Sequence, residues 1–583
     1  LDFTYGKTHV GKPRELFSNQ AKPISFNERS EFEREAREAI GSNEWAISPS
    51  RTSTGSSMLL INPHQPWYGW GQFYEVHIHS EESLRFSGAC FLGTPIPTIG
   101  HNEKLGWTYT VNNPDTADAW SESFDNPKDP LAYRYEDGYR KAEEFTETIR
   151  IKRGQEMEQR EVIFRKTHHG PVVRKDSETT FISANVAGVF NTDRFSQGLA
   201  MARAQNLEQW RQAMNFCSIP MFNVAYADCE GNILYAYNGS IPRRNPEFDW
   251  RRPVDGTIRD TEWQGLHSFD ELPQVLNPKC GYVQNCNTSP FLTTENENPE
   301  RSKYPDYMFE DADHEKRRAQ LSREILGDLK GLTFEDFQGL AMDTRLYWPK
   351  KNLDRFKDLL EQLEKEQPEK AARVKPYLEH LLQWNCVATN DSTATTLCVY
   401  WYEELHQGTY PGETLKNQYK NNDQAQLLAL AKAARTIESL HGSWKVGWGT
   451  AHRLQRAYNK PDVQNAGVSF NGFIESLPCP GAPGPLGIVY TVYSTPTVPI
   501  VRPTRYAVVG SCYVAAIEFG AKVRAATAVP YGTSGNPRSK HYFDQANLFS
   551  EKRLKPAWFY PEDVLENATS SYHPGENWDW KKK

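Results

Sequence analysis

The stretch Gly41-Ser42-Asn43-Glu44-Trp45 decides how this chain is read. Alone, a Gly-Ser pair is ordinary loop content. It gains meaning from the motifs downstream of it and from their order. His64 stands 22 residues after Ser42, in Ile61-Asn62-Pro63-His64. Gly100-His101-Asn102-Glu103 leads into Leu105-Gly106-Trp107-Thr108-Tyr109-Thr110-Val111-Asn112. Asn223-Val224-Ala225-Tyr226-Ala227-Asp228 and Gly231-Asn232-Ile233 come next, then Gly281-Tyr282-Val283-Gln284-Asn285-Cys286-Asn287-Thr288-Ser289-Pro290, and late in the chain Ser534-Gly535-Asn536-Pro537.

Around these motifs the composition is globular. The chain has 583 residues, 38% hydrophobic and 24% charged, with 16 Trp, 28 Tyr and 28 Phe. Its net charge of -7 provides no basic field for nucleic acid or an anionic membrane. Apolar runs such as Leu397 to Tyr402 fall far short of a membrane-spanning helix. The nine cysteines show no C-x-x-C spacing, and an odd count argues against a fully paired disulfide framework. The first residues, Leu1-Asp2-Phe3-Thr4-Tyr5, contain neither an initiator Met nor a signal peptide, so the chain reads as part of something longer.

Residues 1–41 are polar, with a charged helix expected over Phe32 to Ile40. From Trp45 onward, short apolar stretches alternate with Gly, Pro and Asn turns: Ala46-Ile47, Met58 to Ile61, Val76 to Ile78, Cys90 to Leu92 and Trp107 to Val111. Thr146 to Ile151, Glu161 to Phe164, Thr179 to Ile182 and Ile233 to Tyr237 continue the pattern, which predicts extensive antiparallel sheet. A helical block is expected over about 311–382, where Leu321, Ile325, Leu326 and Leu329 follow helical spacing. Thr333 and Asp336 resemble a capping box there, and Leu353, Phe356, Leu360 and Leu363 repeat the period. Strands return after Trp444.

Two local motifs compete for the chemistry. Gly532-Thr533-Ser534-Gly535-Asn536 approaches a G-x-S-x-G nucleophile elbow but misplaces the second Gly and lacks a strand-to-helix context. His77-Ile78-His79 puts two imidazoles on one side of a strand, where they could share a zinc ion with His101 or His168-His169 as further ligands. The plain alternative is the polar face of a half-buried strand.

The ordered set opened by Gly41-Ser42 resembles the penicillin acylase (penicillin amidase) family of N-terminal-nucleophile hydrolases, which includes cephalosporin and acyl-homoserine lactone acylases. The resemblance runs from Gly41 to the end. It implies an α+β fold, a four-layer αββα sandwich of two antiparallel sheets between helices, with the 311–382 block as a helical insertion. It also implies that the precursor cuts itself between Gly41 and Ser42, leaving 1–41 as a spacer or remnant and 42–583 as the catalytic β subunit. The implied activity is hydrolysis of a small-molecule N-acyl amide through an acyl-enzyme on Ser42. A serine hydroxyl needs a base, and a free α-amine, with an ordinary pKa of about 7.7–8.0, can be that base on its own residue. While Gly41 is attached, the Ser42 nitrogen is an amide and cannot serve, so the intact chain reads as a zymogen. Gly41 is further expected to permit backbone shapes that other residues resist.

The same resemblance implies an oxyanion site formed by the Val111 backbone N–H and a side-chain amide. The N-x-N-x-S-P pattern favours Asn287, with Asn285 as its neighbour; a turn Asn before Pro290 is the plain reading. His64, where the family carries Gln or His, is implied to orient the Ser42 amine, against a simple turn role after Pro63. His in place of Gln leans the substrate towards longer acyl chains than phenylacetyl. Arg317 resembles the family's active-site Arg at a helix start, with Arg318 the adjacent alternative and a solvated charge the plain one. Asp115, Ala117 and Asp118 resemble a calcium-binding loop, in which carboxylates and a backbone carbonyl suit a hard cation; a polar turn reads equally well. Any such calcium is structural, and no motif for a nucleotide or redox cofactor is present. Family members carry a substantial α subunit before the cut, so an N-terminal partner from the same precursor and a periplasmic or secreted location are expected. Two rival classes stay open: a zinc-dependent hydrolase built on His77 and His79, and a non-catalytic binding module on the same scaffold.

Overall fold

The structure is a computed structural model describing residues 41–95, 97–310, 315–407, 412–456, 475–494, 503–571 and 573. The charged helix expected over Phe32 to Ile40 and the start of the helical block at 311–314 lie outside the described residues.

The strand Gly41–Ile47 sits inside the core, with all seven residues buried. It pairs antiparallel on one side with Ser57–Pro66 and on the other with Tyr282–Asn285. Both neighbours bring motif residues with them, because the register sets Gly41 opposite His64 and Glu44 opposite Asn285. These strands belong to a ten-stranded sheet that continues from Ser57–Pro66 through Val514–Phe519 and Val523–Ala528. A seven-stranded sheet runs from Gln274–Leu276 through Ile233–Tyr237, Asn223–Asp228, Leu105–Thr110, Ile99–His101 and Leu84–Phe91 to Phe73–Ser80. The two sheets share one hydrophobic core that includes Trp45, Leu60, Trp107, Tyr226 and Ile517. Burying each such side chain contributes roughly 1.5–3 kcal/mol, which pins the register on which the site depends.

Helices cover the outer faces and complete the four-layer α+β sandwich. Leu207–Met214 puts Trp210 against Tyr226 of the seven-stranded sheet, ring centroids 4.8 Å apart. Phe334–Ala341 packs on Val514–Phe519, and the Thr333 hydroxyl caps it by accepting from the Asp336 N–H at 3.0 Å. The helical section is longer than the 311–382 block expected from sequence: it begins with Arg317–Asp328 and continues past 382 through Thr393–Leu405 and Asp423–His441. Ten of the thirteen residues of Thr393–Leu405 are buried. A helix surrounded by core has no polar stripe, so its run of apolar residues shows no period. A third, four-stranded sheet stands apart, in the order Val172–Lys175, Thr180–Val186, Ala117–Ser123 and Val254–Asp255. Among the described residues no helix is long and apolar enough to cross a membrane.

Candidate active site

The Gly41–Ser42 peptide lies where the two sheets meet, and buried polar side chains grip it from both sides. The Ser42 N–H donates to Asn287 Oδ1 at 2.6 Å. The Ser42 hydroxyl donates to the Gly41 carbonyl oxygen. Arg318 donates through Nη1 to the Ser42 carbonyl (2.7 Å) and to Asn43 Oδ1 (2.6 Å), and through Nη2 to Asn287 Oδ1 (3.0 Å). Asn287 in turn donates through Nδ2 to the Val111 carbonyl at 2.8 Å, which places the Val111 peptide beside the cluster. Ser42, His64 and Asn287 are all buried, as is Arg318.

Gly41 is needed here for space. A Cβ on it would stand 2.8 Å from Arg318 Nη2, 3.0 Å from Asn287 Oδ1 and 3.4 Å from His64 Nδ1. Its backbone does not fall in the left-handed region, so the conformational freedom expected from sequence is not what the position requires; close approach of three side chains is.

His64 faces the same peptide. Asn43 Nδ2 lies 3.4 Å from His64 Nε2. The Asn43 amide cannot be reversed, since its oxygen accepts from Arg318 and its nitrogen donates to Val489 O at 2.9 Å. Nε2 is therefore the acceptor, and the protonated Nδ1 is turned towards Gly41. Burial, with the Arg318 charge added, pushes the His64 imidazole well below its usual range, so it stays neutral at working pH.

Asn285 has a different position from Asn287. Its Oδ1 accepts from Thr110 Oγ1 (2.9 Å), from Asn223 Nδ2 (3.1 Å) and from the Asn287 N–H (2.7 Å). Tyr235 Oη closes the network on Asn223 at 2.6 Å. Asn285 and Asn223 thus brace the turn in which Asn287 adopts φ 60°, a conformation Asn tolerates better than most residues. Two residues beyond Ser42, burial holds the Glu44 carboxyl well above the usual range.

Arg317 lies outside the cluster. Its guanidinium donates to Tyr402 Oη at 2.7 Å and to Pro485 O at 2.9 Å, bracing the helical section. Successive helical residues point about 100° apart, so one position of phase separates a packing arginine from the one on Ser42. The elbow candidate Ser534 lies in a loop, with its N–H on His541 O at 3.0 Å and its carbonyl held by Arg456. His77 and His79 are solvent-exposed on the edge strand Phe73–Ser80, and the His77 ring stacks 5.4 Å from Phe559. Among the described residues, the one group of three His, Cys, Asp or Glu with ligand atoms close together is His168, His169 and Glu262; it includes neither. Among the described residues, the His77/His79 pair therefore has no third ligand.

The Asp115–Asp118 loop does not fit calcium either. The fully buried Arg244 guanidinium occupies its centre, with Nε on Asp118 Oδ2 (2.6 Å) and Nη2 on Asp115 Oδ1 (3.0 Å) and Asp115 O (3.1 Å). Nη1 ties the loop to Tyr307 O at 2.7 Å. Burial pushes the Asp115 carboxyl up to about 6, against the pull of Arg244. The positive charge that the sequence suggests a metal would supply comes from a side chain 126 residues away. Replacing Arg244 with Gln strands the buried Asp118 carboxylate and the partly buried Asp115 one, and breaking such a buried pair costs about 3–5 kcal/mol. A lowered urea midpoint that added calcium does not restore is the expected result. Restoration by calcium would put the metal back in the loop.

The family model described as penicillin amidase matches residues 7–566. An acyl-homoserine lactone acylase PvdQ of Pseudomonas syringae pv. syringae (strain B728a) is 24% identical over 599 residues, covering 95% of this chain and 73% of that protein. A penicillin G acylase of Escherichia coli is 29% identical over 252 residues, 43% of this chain and 29% of that one. Among solved structures, a thermostable penicillin G acylase from Alcaligenes faecalis is similar with a TM-score of 0.61 at 21% identity, covering 91% of this chain and 99% of that chain.

Proposed function

The chain belongs to the penicillin amidase family and is an acylase acting on linear amides; from that premise we propose that it is activated by cutting itself between Gly41 and Ser42, and that Ser42 then carries the acyl group. The observation that carries this reading is the convergence of Asn287, Arg318 and His64 on one peptide bond, with the Ser42 hydroxyl on the carbonyl oxygen of the bond to be cut.

In the precursor, Ser42 Oγ adds to the Gly41 carbonyl carbon and the C–N bond breaks, giving an ester and a free Ser42 amine. Water hydrolyses the ester and releases a carboxylate at Gly41. The amine stays where the N–H was, against Asn287 Oδ1. Its surroundings suit a base: burial and a neighbouring guanidinium both disfavour a protonated amine, keeping its lone pair available near neutral pH.

With substrate, the Ser42 amine takes the hydroxyl proton as Oγ attacks the amide carbonyl. The oxyanion is met by the Val111 N–H and by Asn287 Nδ2, donors of a kind worth about 2.7–4 kcal/mol each. An amide NH2 carries two hydrogens, enough to hold the Val111 carbonyl and to donate to an oxyanion. The ammonium then protonates the departing amine. Water, deprotonated by the same amine, releases the acid and restores Ser42. Arg318 orients the Ser42 carbonyl and Asn287, and neutral His64 seals the peptide's other side.

The deciding test is N-terminal sequencing and intact mass of active protein. A polypeptide beginning Ser42-Asn43-Glu44-Trp45 is expected, and an active, uncut chain would overturn the proposal.

For the acyl group, the proposal extends to long chains on His64 standing in place of Gln; one relative is named for acyl-homoserine lactones. Each buried CH2 adds about 0.8 kcal/mol, so two or three beyond a short acyl group change kcat/KM by roughly tenfold or more. In a panel of acyl amides, long-chain amides are expected to exceed phenylacetyl by at least that margin. Phenylacetyl as the best substrate would contradict this.

A further inference from the structure

A cluster remote in sequence from Ser42 is left unused by this chemistry. His168 and His169 sit in the tight turn between the strands Glu156–Lys166 and Val172–Lys175, and Glu262 follows the short turn Arg259–Thr261. The strand Ala117–Ser123 runs beneath them and points Trp120 and Glu122 upward on one buried face.

We propose that His168, His169 and Glu262 form a zinc-binding site that clamps the 167–170 turn to the 259–262 segment. Three observations carry it. First, the ligand atoms of the three residues lie within 4.8 Å of one another. Glu262 Oε1 is 2.7 Å from His168 Nε2 and 3.8 Å from His169 Nε2. Zinc bonds of about 2.0–2.2 Å in a tetrahedron put ligand atoms roughly 3.3–3.5 Å apart, so only small side-chain adjustments admit the ion.

Second, His169 Nε2 is buried and has no hydrogen-bond partner among the described residues. Its side chain is 2% exposed, and it faces Glu262. An unsatisfied imidazole nitrogen at that depth is costly unless something occupies it.

Third, the outer atoms of both imidazoles are already held as in a metal site. His169 Nδ1 bonds Glu122 Oε1 at 2.9 Å, and His168 Nδ1 bonds Tyr133 Oη at 2.9 Å. Glu122 is itself fixed by Thr167 Oγ1 (2.7 Å) and Ser183 Oγ (2.6 Å). Trp120 stacks on the His169 ring at 4.7 Å with a 5° tilt. The Glu122 carboxylate accepts from His169 Nδ1 and so presents the bare His169 Nε2 as a ligand atom, while the Tyr133 hydroxyl can accept from His168 Nδ1 once His168 Nε2 gives up its bond to Glu262 for the ion. Zinc also answers the charge: among the described residues the buried Glu122 has no Lys or Arg partner, only the His169 imidazole, and a divalent ion would balance Glu122 and Glu262 together. Two imidazoles and a carboxylate suit zinc over calcium or magnesium. His168 and Glu262 keep solvent access, which leaves water for a fourth position. The binding reaction is simple coordination. Zinc replaces the direct His168–Glu262 hydrogen bond, and any proton on a coordinating nitrogen goes to solvent.

The test titrates metal-free full-length protein with zinc against a chromophoric chelator and, in parallel, follows the visible spectrum on addition of cobalt(II). One equivalent of zinc and a tetrahedral cobalt spectrum are expected. Glu262→Gln and His168→Gln, both at the solvent-accessible rim, should weaken zinc at least tenfold. Glu122→Gln should weaken it by roughly tenfold to a hundredfold, the range for an outer partner of a ligating histidine. Thermal unfolding without metal separates lost binding from lost folding. Absence of stoichiometric zinc in the wild-type chain would overturn the proposal, as would unchanged affinity in folded Glu262→Gln and His168→Gln. Loss of binding in His77→Gln/His79→Gln would also overturn it, by placing the ion on the edge strand.

Discussion

Ser42→Ala is expected to give a single uncut chain whose turnover of a linear N-acyl amide falls on the order of 10⁴-fold or more, the scale seen when a covalent nucleophile is removed. The variant deletes one oxygen, the one that bonds the Gly41 carbonyl. The strand Gly41–Ile47 keeps both its partners, and the Ser42 N–H keeps Asn287. Folding should therefore hold, with a change in thermal midpoint near the error of measurement. That combination separates the rival classes. A zinc hydrolase centred on His77 and His79 would keep its activity in the uncut chain, and a binding module would keep its ligand. Intact mass, thermal midpoint and kcat/KM on the same preparation suffice to read it. Normal cleavage or turnover above a hundredth of wild type would sink the role assigned to Ser42. Ser42→Cys is the companion case: a thiol retains nucleophilic character, so cleavage should persist at a reduced rate.

The residues singled out in the sequence come together where the chain itself sets the spacing. The strand from Gly41 pairs with the strand that carries His64, so 22 residues of separation between Ser42 and His64 close up across a ladder. The strand ending at Asn285 lies on the other side, which brings the N-x-N pattern onto Ser42. What sequence left open were matters of orientation. Asn285 and Asn287 carry the same amide two residues apart. The backbone separates them: Asn285 ends a strand and turns its side chain into the Thr110–Asn223 network, while Asn287 at φ 60° turns onto Ser42. Helix phase separated Arg317 from Arg318 in the same way. The cation in the Asp115–Asp118 loop was illegible for another reason. Arg244 reaches it across 126 residues, and no local pattern announces a contact of that range.

The sharpest consequence of that helix phase is the contrast between Arg318→Ala and Arg317→Ala. Arg318 makes three charge-assisted hydrogen bonds to the site: one to the Ser42 carbonyl, one to Asn43 Oδ1 and one to Asn287 Oδ1. Bonds to a charged group contribute about 1.5–3 kcal/mol each, and the buried acceptors left behind add their own desolvation cost. Two of the three acceptors position the nucleophile and the oxyanion donor, so part of that loss falls on the transition state. A loss of about 3–4 kcal/mol there corresponds to roughly a 10²–10³-fold fall in kcat/KM. In the proposed mechanism, removing the guanidinium also removes a charge that disfavours the protonated Ser42 amine. The acidic limb of the kcat/KM profile should therefore move to higher pH in Arg318→Ala, because a base whose conjugate acid is no longer disfavoured titrates nearer its ordinary range. Slower precursor cleavage should accompany it, since the same bonds hold the Gly41–Ser42 peptide. Arg317→Ala loses its contacts to Tyr402 Oη and Pro485 O, which lie in the helical section. Its cost is stability, about 1–3 kcal/mol in a urea titration, with kcat/KM of the folded enzyme within about threefold of wild type and no movement of the acidic limb. The reverse pattern, a crippled Arg317→Ala and a near-normal Arg318→Ala, would mean that the helix Arg317–Asp328 is turned by one residue, with Arg317 and not Arg318 on Ser42.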